Sequence, residues 1–323
     1  MGFISMAMKD SYEPPYTLGK ILKEALKLLT KSLKLTLPII IFTFIYSIST
    51  FIANTNYTTP LIQDFSSKLL LILNNIDPNV PLGPNFFKNL ISMGKDLKQY
   101  TIIQAVIFFT SFIFSFILTI SATYTFTTAY SGEPLSAKGL LKVFKKRWYQ
   151  TLITQLYILI FNIGFEVLLF SVIGVALLMT KSSSLCMGIT FIALSLYIYI
   201  ITRWQVSLVV TVNEKSYGIG AFSKAVILFK GNEKKGCAVT ILVFLVAMAM
   251  TGAFMFIIRF MKVESLMMIN VGFLALMSLF STYVWAVYTV YYFECRKSHG
   301  IVDEEGDQYV FMFDSLLPRT TKV

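Results

Sequence analysis

The sequence predicts an all-α integral membrane protein with six transmembrane helices, three cytosolic amphipathic helices and a pseudo-threefold helix-hairpin repeat. Three observations carry this. Six apolar runs of 19 residues or more fill about half of the 323-residue chain, and about 20 apolar residues at 1.5 Å each cross a hydrocarbon core of about 30 Å. Lysine and arginine alternate between the two sides of those runs. A basic amphipathic stretch precedes each pair of runs.

Composition agrees. The chain is 56% hydrophobic and 14% charged, with mean hydropathy +0.69, whereas soluble domains carry about 25% charged residues. A net charge of +11 would suggest nucleic acid in a soluble protein. Here the lysines sit beside apolar runs, so the expected partner is the bilayer, with anionic lipids at its cytosolic face, and not nucleic acid.

In order along the chain, residues 1–34 form a Lys-rich arm. It lacks the short apolar core and small-residue cleavage site of a signal peptide, and Met6 stands where a myristoylation motif needs Ser or Thr. Within the arm, residues 18–34 are amphipathic. Lys20, Lys23, Lys27, Lys31 and Lys34 recur every three or four residues on one helical face, with leucines on the other. The membrane domain, 35–293, follows, and 294–323 is a cytosolic tail.

The first span, 35–53, carries Pro38 in its first turn, where a missing N–H is tolerated. Residues 54–101 form the long outer loop, with turn signals at Asp77-Pro78-Asn79-Val80-Pro81 and Gly83-Pro84. Its sequon at Asn56 lies about three residues from the span, too close to the membrane for glycosylation to be the favoured reading. The second span is 102–124. Residues 134–148 then form the second amphipathic stretch, with Lys138, Lys142 and Lys145 on one face.

Spans three and four, 152–179 and 185–212, are joined by a very short turn and are expected as antiparallel neighbours. The third amphipathic stretch, 220–235, includes Lys224. Spans five and six are 237–258 and 266–293. Twenty Lys and Arg fall on the side of both termini and seven on the other. The positive-inside rule therefore places both termini in the cytosol. Spans of this length suit an endomembrane or the plasma membrane.

Glu166, at the centre of the third span, is the most unusual residue, because charges at that depth are rare. Gln155, Asn162 and Glu166 are spaced by seven and four residues, so they share a helix face. Arg203 lies in the fourth span. Folding the hairpin leaves Glu166 and Arg203 about 7.5 Å apart along the axis, a gap that long side chains can bridge. An ion pair, a protonated Glu166 and an Arg203 that snorkels to the headgroups all fit. These four residues are the candidate internal binding site, as a structural cluster or a solute pathway. Lys20, Lys23, Lys27, Lys138, Lys142, Lys145 and Lys224 are the candidate headgroup contacts.

Little else carries chemistry. His299 is the single histidine, which excludes His-based triads and HExxH metal sites. Cys186, Cys237 and Cys295 are far apart, with no zinc spacing. They read as small packing residues, and Cys295, just inside a helix end, also as a weak S-palmitoylation signal. No catalytic motif, cofactor or metal is expected, and the acidic run Asp303, Glu304, Glu305 and Asp307 reads as solvated.

The stretch Arg203-Trp204, Val209-Val210, Glu214, Gly218, Ala221-Phe222-Ser223-Lys224-Ala225, Leu228 and Lys230-Gly231 resembles the membrane domain attached to some bacterial glycerophosphodiester phosphodiesterases. The whole chain looks closer still to plant multi-pass proteins of similar size without an assigned activity. The resemblance implies an all-α membrane domain. It does not bring phosphodiesterase chemistry, because the soluble catalytic barrel is missing. The sequence thus reads as a non-enzymatic membrane protein engaging lipids or protein partners through a basic cytosolic face, with a small-solute or lipid transporter using Glu166 and Arg203 as the alternative.

Overall fold

A computed structural model describes residues 17–74, 84–134, 136–180, 183–260 and 266–299. Among them every regular element is helical. Nine α-helices follow one another: α1 (Leu18–Lys31), α2 (Leu33–Ala53), α3 (Thr59–Asn74), α4 (Pro84–Ser131), α5 (Ala137–Thr180), α6 (Ser183–Asn213), α7 (Ile219–Phe229), α8 (Glu233–Phe260) and α9 (Leu266–Ser298). Six helical stretches are long and apolar enough to cross a membrane, and the expected spans lie within α2, α4, α5, α6, α8 and α9.

The outer loop differs from expectation. A π-helical turn, Asn54–Thr58, carries α2 directly into α3, and α3 packs along the first part of α4. Residues 54–101 are therefore largely a helical hairpin rather than an irregular loop. Periodic apolar residues from Leu61 to Ile72 supply the reason, since they give α3 a face to lay on α4. Lys68 Nζ ties the hairpin by reaching Asp64 and Asp96, each at 2.6 Å. These two carboxylates raise the Lys68 pKa above its usual value. The turn signals at 77–81 and Gly83 lie outside the described residues. Pro38 also sits deeper than expected, because α2 begins at Leu33.

The amphipathic stretches take different forms. The first is α1, which breaks from α2 at Ser32, where the Ser32 hydroxyl bonds to the Leu28 carbonyl at 2.6 Å. The third is chiefly α7. The second is not a separate helix but runs unbroken into its span as the start of α5, since no Gly or Pro interrupts residues 140–151. At 48 and 44 residues, α4 and α5 are about 70 Å long, and each outreaches a bilayer core.

As hairpins, α3 pairs with α4, α5 with α6 and, more loosely, α8 with α9, while α9 also packs broadly on α1, α2 and α4, and α8 on α6. The segments carrying most of the lysines meet at one end. There Lys31 Nζ donates to the Ala129 carbonyl (3.2 Å), Gly218 N–H to Thr154 Oγ1 (2.8 Å) and Asn232 Nδ2 to Ser298 Oγ (2.6 Å). Gly132, at φ +75°, ends α4 and lets Glu133 N–H return to the Thr128 carbonyl at 3.1 Å.

The core lies at the same end. Ile21 and Ala25 of α1, Phe126 of α4, Val206 and Val210 of α6, Ala225 and Phe229 of α7, and Val287 and Tyr291 of α9 are fully enclosed together. Towards the other end the hairpins separate. No residue of 161–175, 187–198, 241–260 or 267–277 is buried. Gly236 of α8 is what allows the core to close, because a Cβ there would overlap the Phe229 ring and the Tyr291 hydroxyl. Gly236→Ala is therefore expected to destabilise the protein by about 1–3 kcal/mol through overpacking. Gly252→Ala, in the same helix with open space around it, is expected to leave stability unchanged or slightly raised. Thermal unfolding of both variants in detergent checks the contrast.

Candidate functional site

The helical periodicity of α1 divides its surface into three stripes. Ile21, Ala25, Leu28 and the following Ser32 are buried against the bundle. Lys20, Lys23 and Lys27 are exposed on another side, Lys27 beside Glu24 at 3.6 Å. Between these two stripes Leu26 is 56% exposed, and Leu33, seven residues on and the first residue of α2, is 51% exposed. The apolar face is thus shared between the bundle and its surroundings.

The beginning of α5 repeats the arrangement. Lys138, Lys142 and Lys145 are exposed along one stripe. Leu141 and Trp148, again seven residues apart, are 69% and 47% exposed beside it, while Phe144 packs on Phe116 of α4 at 5.8 Å between ring centroids. Lys224 departs from expectation. It is half-buried, and its Nζ lies 3.2 Å from Glu214 Oε2, an internal ion pair in place of a free headgroup contact. The other Glu214 oxygen accepts the Tyr292 hydroxyl at 2.7 Å.

Glu214 therefore joins the end of α6 to both α7 and α9. Arg147 of α5 also lies within reach of its charge. Burial lowers the Arg147 pKa, and Glu214 acts in the opposite direction. Gly218, at φ +56°, makes the turn from α6 into α7 and packs against Tyr157 and Ile153. The stretch that carries the resemblance is, in physical terms, this turn with its internal ion pair. Glu214 and Lys224 were visible in that stretch. Their pairing was not, because ten residues and a turn separate them, and Tyr292 sits far off in an aromatic run.

The four intramembrane candidates do not form one cluster. Gln155 is buried and its Nε2 donates to Ser115 (3.2 Å) and Thr119 (3.0 Å) of α4. Asn162 Nδ2 bonds back to the Ile158 carbonyl at 3.0 Å, while its Oδ1 accepts the Tyr197 hydroxyl at 3.4 Å. Glu166 is exposed on the outside of α5, within reach of Tyr197 but in no ion pair. Arg203 turns the other way. Its guanidinium lies 3.9 Å from the Tyr199 ring centroid and 5.3 Å from that of Phe229 in α7, and it donates to the Tyr199 hydroxyl.

The hairpin of α5 and α6 forms as expected, but the Glu166–Arg203 ion pair does not. Helix rotation is the reason. The register of the hairpin set their separation along the axis, whereas contacts with α7 set the face on which Arg203 emerges. Cys295, considered for acylation, is fully buried. Among the described residues no group of three or more His, Cys, Asp or Glu is placed to hold a metal ion.

Tyr292→Phe leaves one Glu214 oxygen without its buried donor. It is expected to destabilise the protein by about 1.5–3 kcal/mol, as for hydrogen bonds to charged groups. Glu166→Gln removes an exposed charge in no ion pair and is expected to leave the melting temperature unchanged or raised. Thermal melts of the two variants in detergent test whether Glu214, rather than Glu166, is the structural carboxylate.

A family model described as Domain of unknown function (DUF8558) matches residues 16–306. No curated protein and no solved structure matches the chain.

Proposed function

The chain belongs to the DUF8558 family, and we propose that it is a non-enzymatic, six-span membrane protein that engages anionic lipids through a basic cytosolic face. One observation carries this reading. Both α1, with the first residue of α2, and the start of α5 expose a lysine stripe beside two apolar residues seven positions apart, Leu26 with Leu33 and Leu141 with Trp148. That pattern suits a helix whose apolar edge dips into acyl chains while its ammonium groups meet phosphates. Tryptophan is also enriched at this depth.

In this reading the basic end faces the cytosol and so do both termini. The three hairpins, each entered through a basic amphipathic stretch, support the pseudo-threefold repeat. Each lysine near an anionic leaflet contributes about 1 kcal/mol before screening. Glu214 supports the same picture, since it is neutralised internally by Lys224 and leaves the surface positive. A transport pathway through Glu166 and Arg203 gains no support, because the two side chains lie on different faces.

The test is lipid mass spectrometry after gentle extraction from mixed membranes. Wild type is expected to retain anionic lipid in excess over zwitterionic lipid. A variant with Lys20, Lys23, Lys27, Lys138, Lys142 and Lys145 all changed to Gln is expected to lose that excess at least tenfold, and raised salt should mimic it. An unchanged excess in a folded variant would sink the proposal.

A further inference from the structure

Arg203 has a problem that the lysine-bearing surface does not solve. Of five guanidinium N–H donors, it uses one within the described residues, to Tyr199. Its Nε is buried with no acceptor in hydrogen-bond distance, and no acidic side chain lies within 4 Å of it. The side chain is nevertheless held in place, between the Tyr199 and Phe229 rings.

Its depth follows from its neighbours. Thr202, the preceding residue, is hydrogen-bonded to Thr240 of α8 at 2.6 Å. The helices run in opposite directions, so Arg203 is level with Val239, two residues past Cys237, whose thiol lies within reach of its charge. Cys237 is about one turn inside the start of α8, at Glu233. Arg203 thus lies about 9 Å inside the start of α8, which in the reading of this end as lipid-facing is within reach of headgroup phosphates. Exposed Lys234 opens α8 on the same face as Cys237, three residues on. Half-buried Glu233 lies beside it.

Beyond Thr202 and Thr240, towards the outer side, neither helix buries a residue. Directly beyond the cation α8 presents an exposed apolar face. Ile241, the first residue past Thr240, is 43% exposed, and Phe244 and Leu245 are exposed after it.

We propose that Arg203 binds the phosphate of a phospholipid from the basic-side leaflet, whose acyl chains lie along the exposed apolar face of α8 beside α6. A planar guanidinium fixed by two rings offers the paired donors that a phosphodiester accepts, and Lys234 adds a second positive charge at the rim. Glu233 disfavours a second negative charge beside it, which restricts the site to one phosphate. The proposal rests on the reading of this end as lipid-facing. It differs in predicting a single fixed lipid instead of a diffuse surface excess.

The experiment is native mass spectrometry of the full chain in detergent, with added phosphatidylserine. Wild type is expected to keep one lipid through detergent exchange. Arg203→Gln should bind it at least tenfold more weakly, and Arg203→Lys, which keeps charge but loses the planar fork, should fall between. Inorganic phosphate at millimolar concentration should not displace the lipid. Displacement by inorganic phosphate would instead assign the site to a soluble anion and overturn the proposal, as would equal retention by folded Arg203→Gln. The six-lysine variant is expected to keep this one lipid, so the surface reading and the Arg203 site fail separately. If Arg203→Gln does not fold, wild type still decides. A phosphatidylserine analogue with a photoreactive group near its glycerol should label residues 199–206 and 234–241, and labelling confined to other segments would overturn the assignment.

Discussion

Apolar helices in lipid have no hydrophobic reason to prefer one another over acyl chains. Everything else in this fold follows from that constraint. The helices need other contacts to stay together, and those contacts gather at one end. Thr154 meets Thr211 at 3.1 Å, Thr202 meets Thr240 at 2.6 Å, and Thr240 meets the Tyr288 hydroxyl at 3.0 Å. The Tyr291 hydroxyl donates to the Asn232 carbonyl at 3.1 Å. Beyond these bonds α8 and the described residues of α6 bury nothing further, and the α3–α4 end keeps polar contacts of its own, such as Lys68 with Asp96.

The two short helices belong to the same arrangement. α1 and α7 bring apolar side chains to the basic end, where the interior can close around them. Ile21, Ala25, Ala225 and Phe229 are among the most enclosed residues of the chain. A helix that the sequence presents as a surface element therefore also serves as a wedge between spans. It can do both because its circumference carries three stripes, one buried, one exposed and apolar, and one of exposed lysines.

Charge within the helices is handled in two ways. Glu214 is matched inside the protein, by Lys224 and Tyr292. Arg203 is matched only by aromatic faces and one hydroxyl. The contrast separates a structural group from a candidate binding group, since a carboxylate with its acceptors filled has little left to offer a ligand and a guanidinium with free donors does. Glu166, the residue most conspicuous by position, is involved in neither.

Six long helices, their order and the pairing of α5 with α6 were legible in the residues alone. Apolar length, lysine asymmetry and a two-residue gap between helices are properties of chain segments, and segments can be read locally. The helical outer hairpin was missed because its turn signals at 77–84 outweighed the weaker apolar period of α3, which only α4 makes useful. Which face of each helix looks inward was also beyond the sequence. In lipid both faces are apolar, so hydrophobic pattern no longer marks the interior, and rotation is set by polar partners distant in the chain. The sequence alone therefore determined the number, length and order of the apolar helices. Tertiary structure decided that Lys224 turns inward to Glu214, that Glu166 and Arg203 stay apart, and that the core lies at one end, because each depends on helix rotation and on side chains that meet across tens to hundreds of residues.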